Sequence, residues 1–169
     1  GDVVGHGDQG GFVYRNGVVT TLPALSATFN GNQVTSGINN NGVITGWAYA
    51  PSLPDTPSHA FRYSLADNSM LDLGTLGGQS TFSEGLAINN YGQVAGDVQD
   101  PSGWLQQAMF FDGAMLDIDS FSNSTYSYAY DLNDDAKVVG AVSLALGGGY
   151  FDDRAFIYDH YGTGTMALL

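Results

Sequence analysis

Apolar residues in this chain fall into short alternating runs, and no window of a dozen residues offers an amphipathic helix. In His59-Ala60-Phe61-Arg62-Tyr63 the rings of Phe61 and Tyr63 alternate with polar or small neighbours, the two-residue period of a strand with one buried face. Tyr126, Tyr128 and Tyr130 alternate in the same way and share one face of a predicted strand. The segments between such runs are rich in Gly, Asn, Asp, Ser and Pro, the residues of tight turns. This pattern predicts an all-β protein.

The runs repeat. Ile38-Asn39-Asn40-Asn41-Gly42-Val43-Ile44-Thr45-Gly46 returns as Ile88-Asn89-Asn90-Tyr91-Gly92-Gln93-Val94-Ala95-Gly96, and again, degraded, as Leu132-Asn133-Asp134-Asp135-Ala136-Lys137-Val138-Val139-Gly140. Gly1-Asp2-Val3-Val4-Gly5 matches the second half of that element. The strand around Phe61 has relatives at Gly10–Tyr14, Gln107–Phe111 and Arg154–Tyr158. Met70-Leu71-Asp72-Leu73 is matched at Met115–Ile118, at Met166–Leu169 and loosely at Val19–Leu22. Ser80-Thr81-Phe82-Ser83 is echoed at Ser124–Ser127 and Ser26–Phe29.

The order of elements is constant, with a period of roughly 40 to 50 residues, which suits a propeller blade better than a solenoid coil. The expected architecture is therefore one domain, residues 1–169: four repeats of short antiparallel strands, propeller-like and four-bladed. Its units run over approximately 1–29, 30–79, 80–123 and 124–169. The strand leading into the Ile-Asn turn is written before residues 39, 89 and 133 only, so one strand is missing from the first unit. The chain starts just after that strand's place and does not begin with Met, so it is expected to be processed or excised from something longer. An unpaired strand edge is either a hazard or a docking site. Its expected flanks are Asp2, Val3 and Val4 at one end of the chain and Met166, Leu168 and Leu169 at the other.

Composition narrows the function. Only 12% of residues are charged, against about 25% in an average soluble domain. Asp and Glu number 17 against four Lys and Arg, for a net charge of −13. Phosphate backbones are bound by releasing counterions to several basic side chains, so nucleic acid is excluded as a partner. No apolar run reaches a helical membrane span, so no membrane insertion of that kind is expected. Cysteine is absent, which removes disulfides, thiolate metal sites and thiol nucleophiles.

The stretch His59-Ala60-Phe61, then Leu71-Asp72-Leu73-Gly74-Thr75-Leu76-Gly77-Gly78, then Ala87-Ile88-Asn89-Asn90-Tyr91-Gly92-Gln93-Val94-Ala95-Gly96 resembles the HAF repeat, named for its His-Ala-Phe triplet. The close match spans 59–96; Gly10 and Arg154 replace the histidine in the first and last units. The resemblance implies a small β-repeat of predicted extracellular, mostly bacterial proteins, hence an extracellular or cell-surface location. It implies no defined activity.

Candidate chemistry is sparse. His6, His59 and His160 show no metal-ligand spacing. Glycoside hydrolysis needs two carboxyls across one bond, and Glu84 is the one glutamate, in a Ser/Gly-rich stretch. No catalytic residue is assigned and no cofactor is expected. The weak exception is calcium, for which Asp131, Asn133 and Asp135 place oxygens at alternating positions, as at the start of a calcium loop. The surplus aromatics, above all Tyr126, Tyr128 and Tyr130, suit a glycan-stacking face, a subunit interface or the core between blades.

The sequence thus favours a non-enzymatic extracellular structural protein. It would assemble with other copies of itself into filaments or a surface coat by strand complementation. A glycan- or protein-binding, lectin-like propeller module is the second reading, and a glycoside-active enzyme is the remote third.

Overall fold

A computed structural model describes residues 1–24, 33–49, 58–78, 80 and 82–169. Its described residues hold fifteen strands and no helix. They form four antiparallel sheets in chain order. The first contains β1 (Val3–Gly7), β2 (Gly10–Arg15) and β3 (Val18–Thr21). The second contains β4 (Gln33–Ile38), β5 (Val43–Tyr49), β6 (Ser58–Ser64) and β7 (Ser69–Gly74). The third contains β8 (Ser83–Ile88), β9 (Val94–Gln99), β10 (Gln106–Phe111) and β11 (Met115–Asp117). The fourth contains β12 (Ser124–Leu132), β13 (Lys137–Gly147), β14 (Tyr150–Asp159) and β15 (Met166–Leu168). The Ser26–Phe29 element, Asp55 and Thr81 lie outside the described residues.

Within each sheet, strands adjacent in sequence are adjacent in space, as antiparallel hairpins allow. Strands β4, β8 and β12 share a place at the sheet edge and share a bulge, at Thr35/Gly37, Gly85/Ala87 and Ala129/Asp131. The first sheet has three strands, and among the described residues β1 has no partner strand where β4, β8 and β12 stand in the others.

The Asn turns work alike. The Asn39, Asn89 and Asn133 side-chain oxygens each accept two backbone N–H groups, two and four residues ahead, at 2.9–3.1 Å. Their carbonyls accept from Gly42, Gly92 and Ala136. Those three residues sit at φ of 73°, 79° and 56°. Glycine adopts this conformation without strain, but Ala136 does so against its Cβ. The Ala136 methyl is also fully buried in the core between the third and fourth sheets, so in Ala136→Gly the strain relief of about 1–2 kcal/mol is offset by a lost burial of about 0.8 kcal/mol. The midpoint of a urea melt is expected to move by the equivalent of less than about 1 kcal/mol, and a larger loss would show that packing outweighs the strain.

The sheets pack face to face through three hydrophobic clusters. Val13, Ile44, Phe61 and Tyr63 join the first sheet to the second. Ala60, Leu73, Val94, Val98 and Met109 join the second to the third. Ala95, Phe110, Val138, Val142, Phe156 and Met166 join the third to the fourth. No cluster among the described residues joins the fourth to the first. Serines lock neighbouring sheets: Ala60 N–H donates to Ser83 Oγ at 2.9 Å and Ala108 N–H to Ser127 Oγ at 2.8 Å. Both serines are fully buried.

Candidate functional site

The Asn turns of consecutive sheets join into one column. Asn39 Nδ2 donates to the Asn89 carbonyl at 2.8 Å, and Asn89 Nδ2 to the Asn133 carbonyl at 3.0 Å. One residue on, Asn40 N–H donates to Asn90 Oδ1 at 3.1 Å and Asn90 N–H to Asp134 Oδ1 at 2.8 Å. Each turn thus offers donors forward and acceptors backward. The Asn90–Asp134 bonds also hold the Asp134 carboxyl below its usual range. The three turns and the apolar residues before them, Ile38, Ile88 and Leu132, surround one open depression of about 380 Å³.

The calcium candidates fall in this column. Asn133 Oδ1 is engaged with the N–H groups of Asp135 and Lys137, and Asp131 Oδ1 accepts from the Leu132 N–H. Among the described residues no three His, Asp or Glu side chains converge as a metal site. His59 is bound instead to Asp72, with Nδ1 3.0 Å from both carboxylate oxygens. Burial works against ionisation of Asp72, but the bonds from His59 and the Gly74 N–H outweigh it and lower its pKa.

Repeat-equivalent positions show where the fold is uncovered. In the ladder register, Val3, Ile44, Val94 and Val138 oppose Tyr14, Tyr63, Phe111 and Tyr158 respectively. Val3 is 57% exposed, whereas Ile44, Val94 and Val138 are 0% exposed. Tyr14 is 44% exposed against 5%, 6% and 5%. The opposite end of the stack behaves alike: Val139 is 40% exposed, and its counterparts Thr45 and Ala95 are 0%. Ala155 is exposed where Ala60 and Ala108 are fully buried. Among the described residues, each interior sheet packs on both faces, and each end sheet leaves much of one face uncovered.

Tyr126 and Tyr130 are exposed on the uncovered face of the fourth sheet, while Tyr128 between them is half-buried, its hydroxyl bonded to Gln106 of the third sheet. The Tyr128 and Tyr130 rings stack in parallel with centroids 6.1 Å apart. With Ala141, Val142, Ser143 and Asp153 these tyrosines line a depression of about 350 Å³. Of the expected edge residues, Val3, Leu168 and Leu169 are exposed. Asp2 is held in a bidentate pair with Arg15, and Val4 is half-buried against the first core. Met166 does not belong to an available edge: it is buried in the core between the third and fourth sheets. Its strand, β15, lies at the far side of its sheet from β12.

One group escaped the sequence reading. Asp97 is almost fully buried, directly across from Glu84 in the β8–β9 ladder. Gln106 Nε2 donates to Asp97 Oδ2 at 3.2 Å, and the Tyr128 hydroxyl bonds to Gln106 Oε1 at 3.0 Å. Burial, and then the neighbouring Glu84 charge, push the Asp97 carboxyl up to about 7. The signal was an acid inside the apolar run Val94-Ala95-Gly96-Asp97-Val98, where the other copies carry His6, Trp47 and Ala141. Compared with known proteins, the chain matches no family model and no curated protein.

Proposed function

We propose that this chain is a non-enzymatic extracellular structural subunit, a diverged HAF-type repeat with a propeller-like arrangement of its sheets, that joins other copies end to end into filaments or a surface coat. The observation that carries the reading is the bare pair of end faces. Residues at 0% exposure inside the stack are 40–57% exposed at its ends, and they are the residues that elsewhere in the chain pack sheet on sheet. The shared depression around the three Asn turns supports a radial, blade-like placement. The two faces differ in sequence, so contact between them is head to tail, and such contacts propagate unless the rotation closes a ring. A net charge of −13 opposes association at low salt, so assembly is expected to strengthen with ionic strength.

Sedimentation velocity tests this with two variants, Val3→Asp on one end face and Tyr130→Asp on the other. Wild-type protein is expected to show mass rising with concentration, and each variant alone is expected to remain monomeric. An equimolar mixture is expected to stop at a dimer, because each variant keeps one intact face. Wild-type protein that stays monomeric at high concentration and high salt, or a mixture without dimer, would sink the reading.

A second reading rests on the Tyr128–Tyr130 stack. The exposed Tyr130 ring, stacked on half-buried Tyr128 beside Asp153 and Ser143, suits a sugar's apolar face and hydroxyls, so a glycan-binding role is the alternative. Retention of a monomer on a glycan array, lost in Tyr130→Ala, would favour it.

A further inference from the structure

We propose that the edge of β1 is an acceptor for one extended peptide segment from a partner chain. That segment would read hydroxyl residue, four residues of any kind, aliphatic residue, Asn, then Asn or Asp, and would end in an Asx turn. This goes beyond end-to-end association, since it concerns a strand edge and the open ends of the Asn column, not a sheet face.

Four observations fix the chemistry of the occupant. First, β1 takes the place of β5, β9 and β13, each of which carries an antiparallel neighbour that β1 lacks among the described residues. Second, the Asn column has two unfilled ends. Asn89 and Asn133 each use their carbonyl twice, for their own turn and for the preceding turn's amide, while among the described residues the Asn39 carbonyl accepts only from Gly42. The donors that Asn39 and Asn40 send forward have their equivalents in Asn133 Nδ2 and Asp134 N–H, which have no partner among the described residues. A fourth Asn turn placed between them would accept from Asn133 and Asp134, and would donate to Asn39 and Asn40. An Asn or Asp at its second position is needed to receive the Asp134 amide, as Asn90 and Asp134 do for their neighbours.

Third, the aliphatic position follows from Ile38, Ile88 and Leu132, which share the central depression with the turns. The hydroxyl position follows from Ser83 and Ser127, each locked to an alanine amide of the sheet before it; in β4, where Gln33 stands at this place, the residue of the sheet before it is Gly11 and not alanine. Ala155 holds the equivalent alanine position in the fourth sheet and is exposed. Fourth, the seat for an incoming bulge is already shaped. At Gly46, Gly96 and Gly140 a Cβ would fall 1.8–1.9 Å from a carbonyl oxygen of the bulged neighbour strand. Gly5 holds the same register place, opposite Phe12, and no carbonyl of a neighbour strand crowds it.

The last point supplies the test. A synthetic peptide with the sequence of residues 83–92, labelled for fluorescence anisotropy, is titrated with the full chain. Saturable one-to-one binding is expected, with a melting temperature that rises with peptide concentration. A peptide carrying Asn89→Ala and Asn90→Ala is expected to bind at least tenfold more weakly. In the chain, Gly5→Ala would place a methyl where the incoming carbonyl must pass, and is expected to weaken binding at least tenfold while the unliganded melting temperature stays within a few degrees. Asn133→Asp keeps the oxygen that caps its own turn but removes the free donor, and is expected to weaken binding similarly. No saturable binding, or binding indifferent to Gly5→Ala and to the peptide's asparagines, would overturn the proposal. Either result leaves the sedimentation test untouched, so the two readings fail separately.

Discussion

Replacing Gly96 by alanine is expected to destabilise the protein by more than about 3 kcal/mol, while the same replacement at Gly5 is expected to cost less than about 1 kcal/mol. A Cβ on Gly96 falls 1.8 Å from the Glu84 carbonyl oxygen and 2.9 Å from its carbon. Both atoms are backbone in a paired strand, so no rotamer change relieves the overlap. The bulge at Gly85/Ala87 brings that carbonyl inward, and the only remedies are to break the β8–β9 ladder or to shift the whole edge strand. Because β8 also carries Ser83 and the Asn89 turn, the damage reaches the second and fourth sheets. Net stabilities of single domains are about 5–15 kcal/mol, so a loss of this size is a large part of the total. At Gly5 the nearest atoms to the added methyl are the far end of the half-buried Phe12 ring, at 2.8 Å, a side chain and not backbone. Equal losses at the two sites in chemical denaturation would show that the neighbour-strand carbonyl is not the reason for the repeated glycine.

The second large effect is electrostatic. Asp97→Asn is expected to stabilise the protein at pH 8 by about 2–4 kcal/mol and to change little at pH 4. Burial and the facing Glu84 raise the Asp97 carboxyl from its ordinary 3.8 to about 7. An acid raised in the folded state contributes its stability in full below its unfolded value. That contribution declines as the pH climbs from about 4 and is gone above about 7, where the folded protein holds a buried charge. A rise of about three units corresponds to a ceiling of about 4 kcal/mol. Burial raises Glu84 as well, with the same sign. The carboxyls held low by partners, Asp2 by Arg15 and Asp159 by Lys137, lose their contribution only as the pH falls below their ordinary range, so they do not mask this window. Asparagine has the same shape and still accepts from Gln106. Urea melts from pH 4 to 8 in which the variant keeps the full wild-type slope would show that Asp97 is not the group responsible.

Most of the fold was written in local chemistry. Period-two alternation around Phe61, Phe156 and their copies placed strands, because a strand with one buried face must alternate. The Asn turns were legible because Asn39, Asn89 and Asn133 cap their own backbones, an interaction that spans only four residues. The three-stranded first sheet followed from counting copies of one element. Other features depend on partners distant in sequence, and no local pattern announces them. The Asn column joins residues 44 to 50 positions apart, and Asp97 is raised first by burial and then by Glu84 across the β8–β9 ladder. Met166 lies near the end of the chain, where the sequence predicts an edge, but packing against the third sheet buries it.

The sequence by itself determined the strand pattern, the turn conformations, the number of copies and the acidity, because each depends on neighbours along the chain or on composition alone. Only the tertiary structure decided which copies are covered. Val3 and Ile44 are equivalent in the repeat and similar in chemistry, yet one is 57% exposed and the other 0%, because burial of a sheet face depends on the next sheet and not on the strand that carries it.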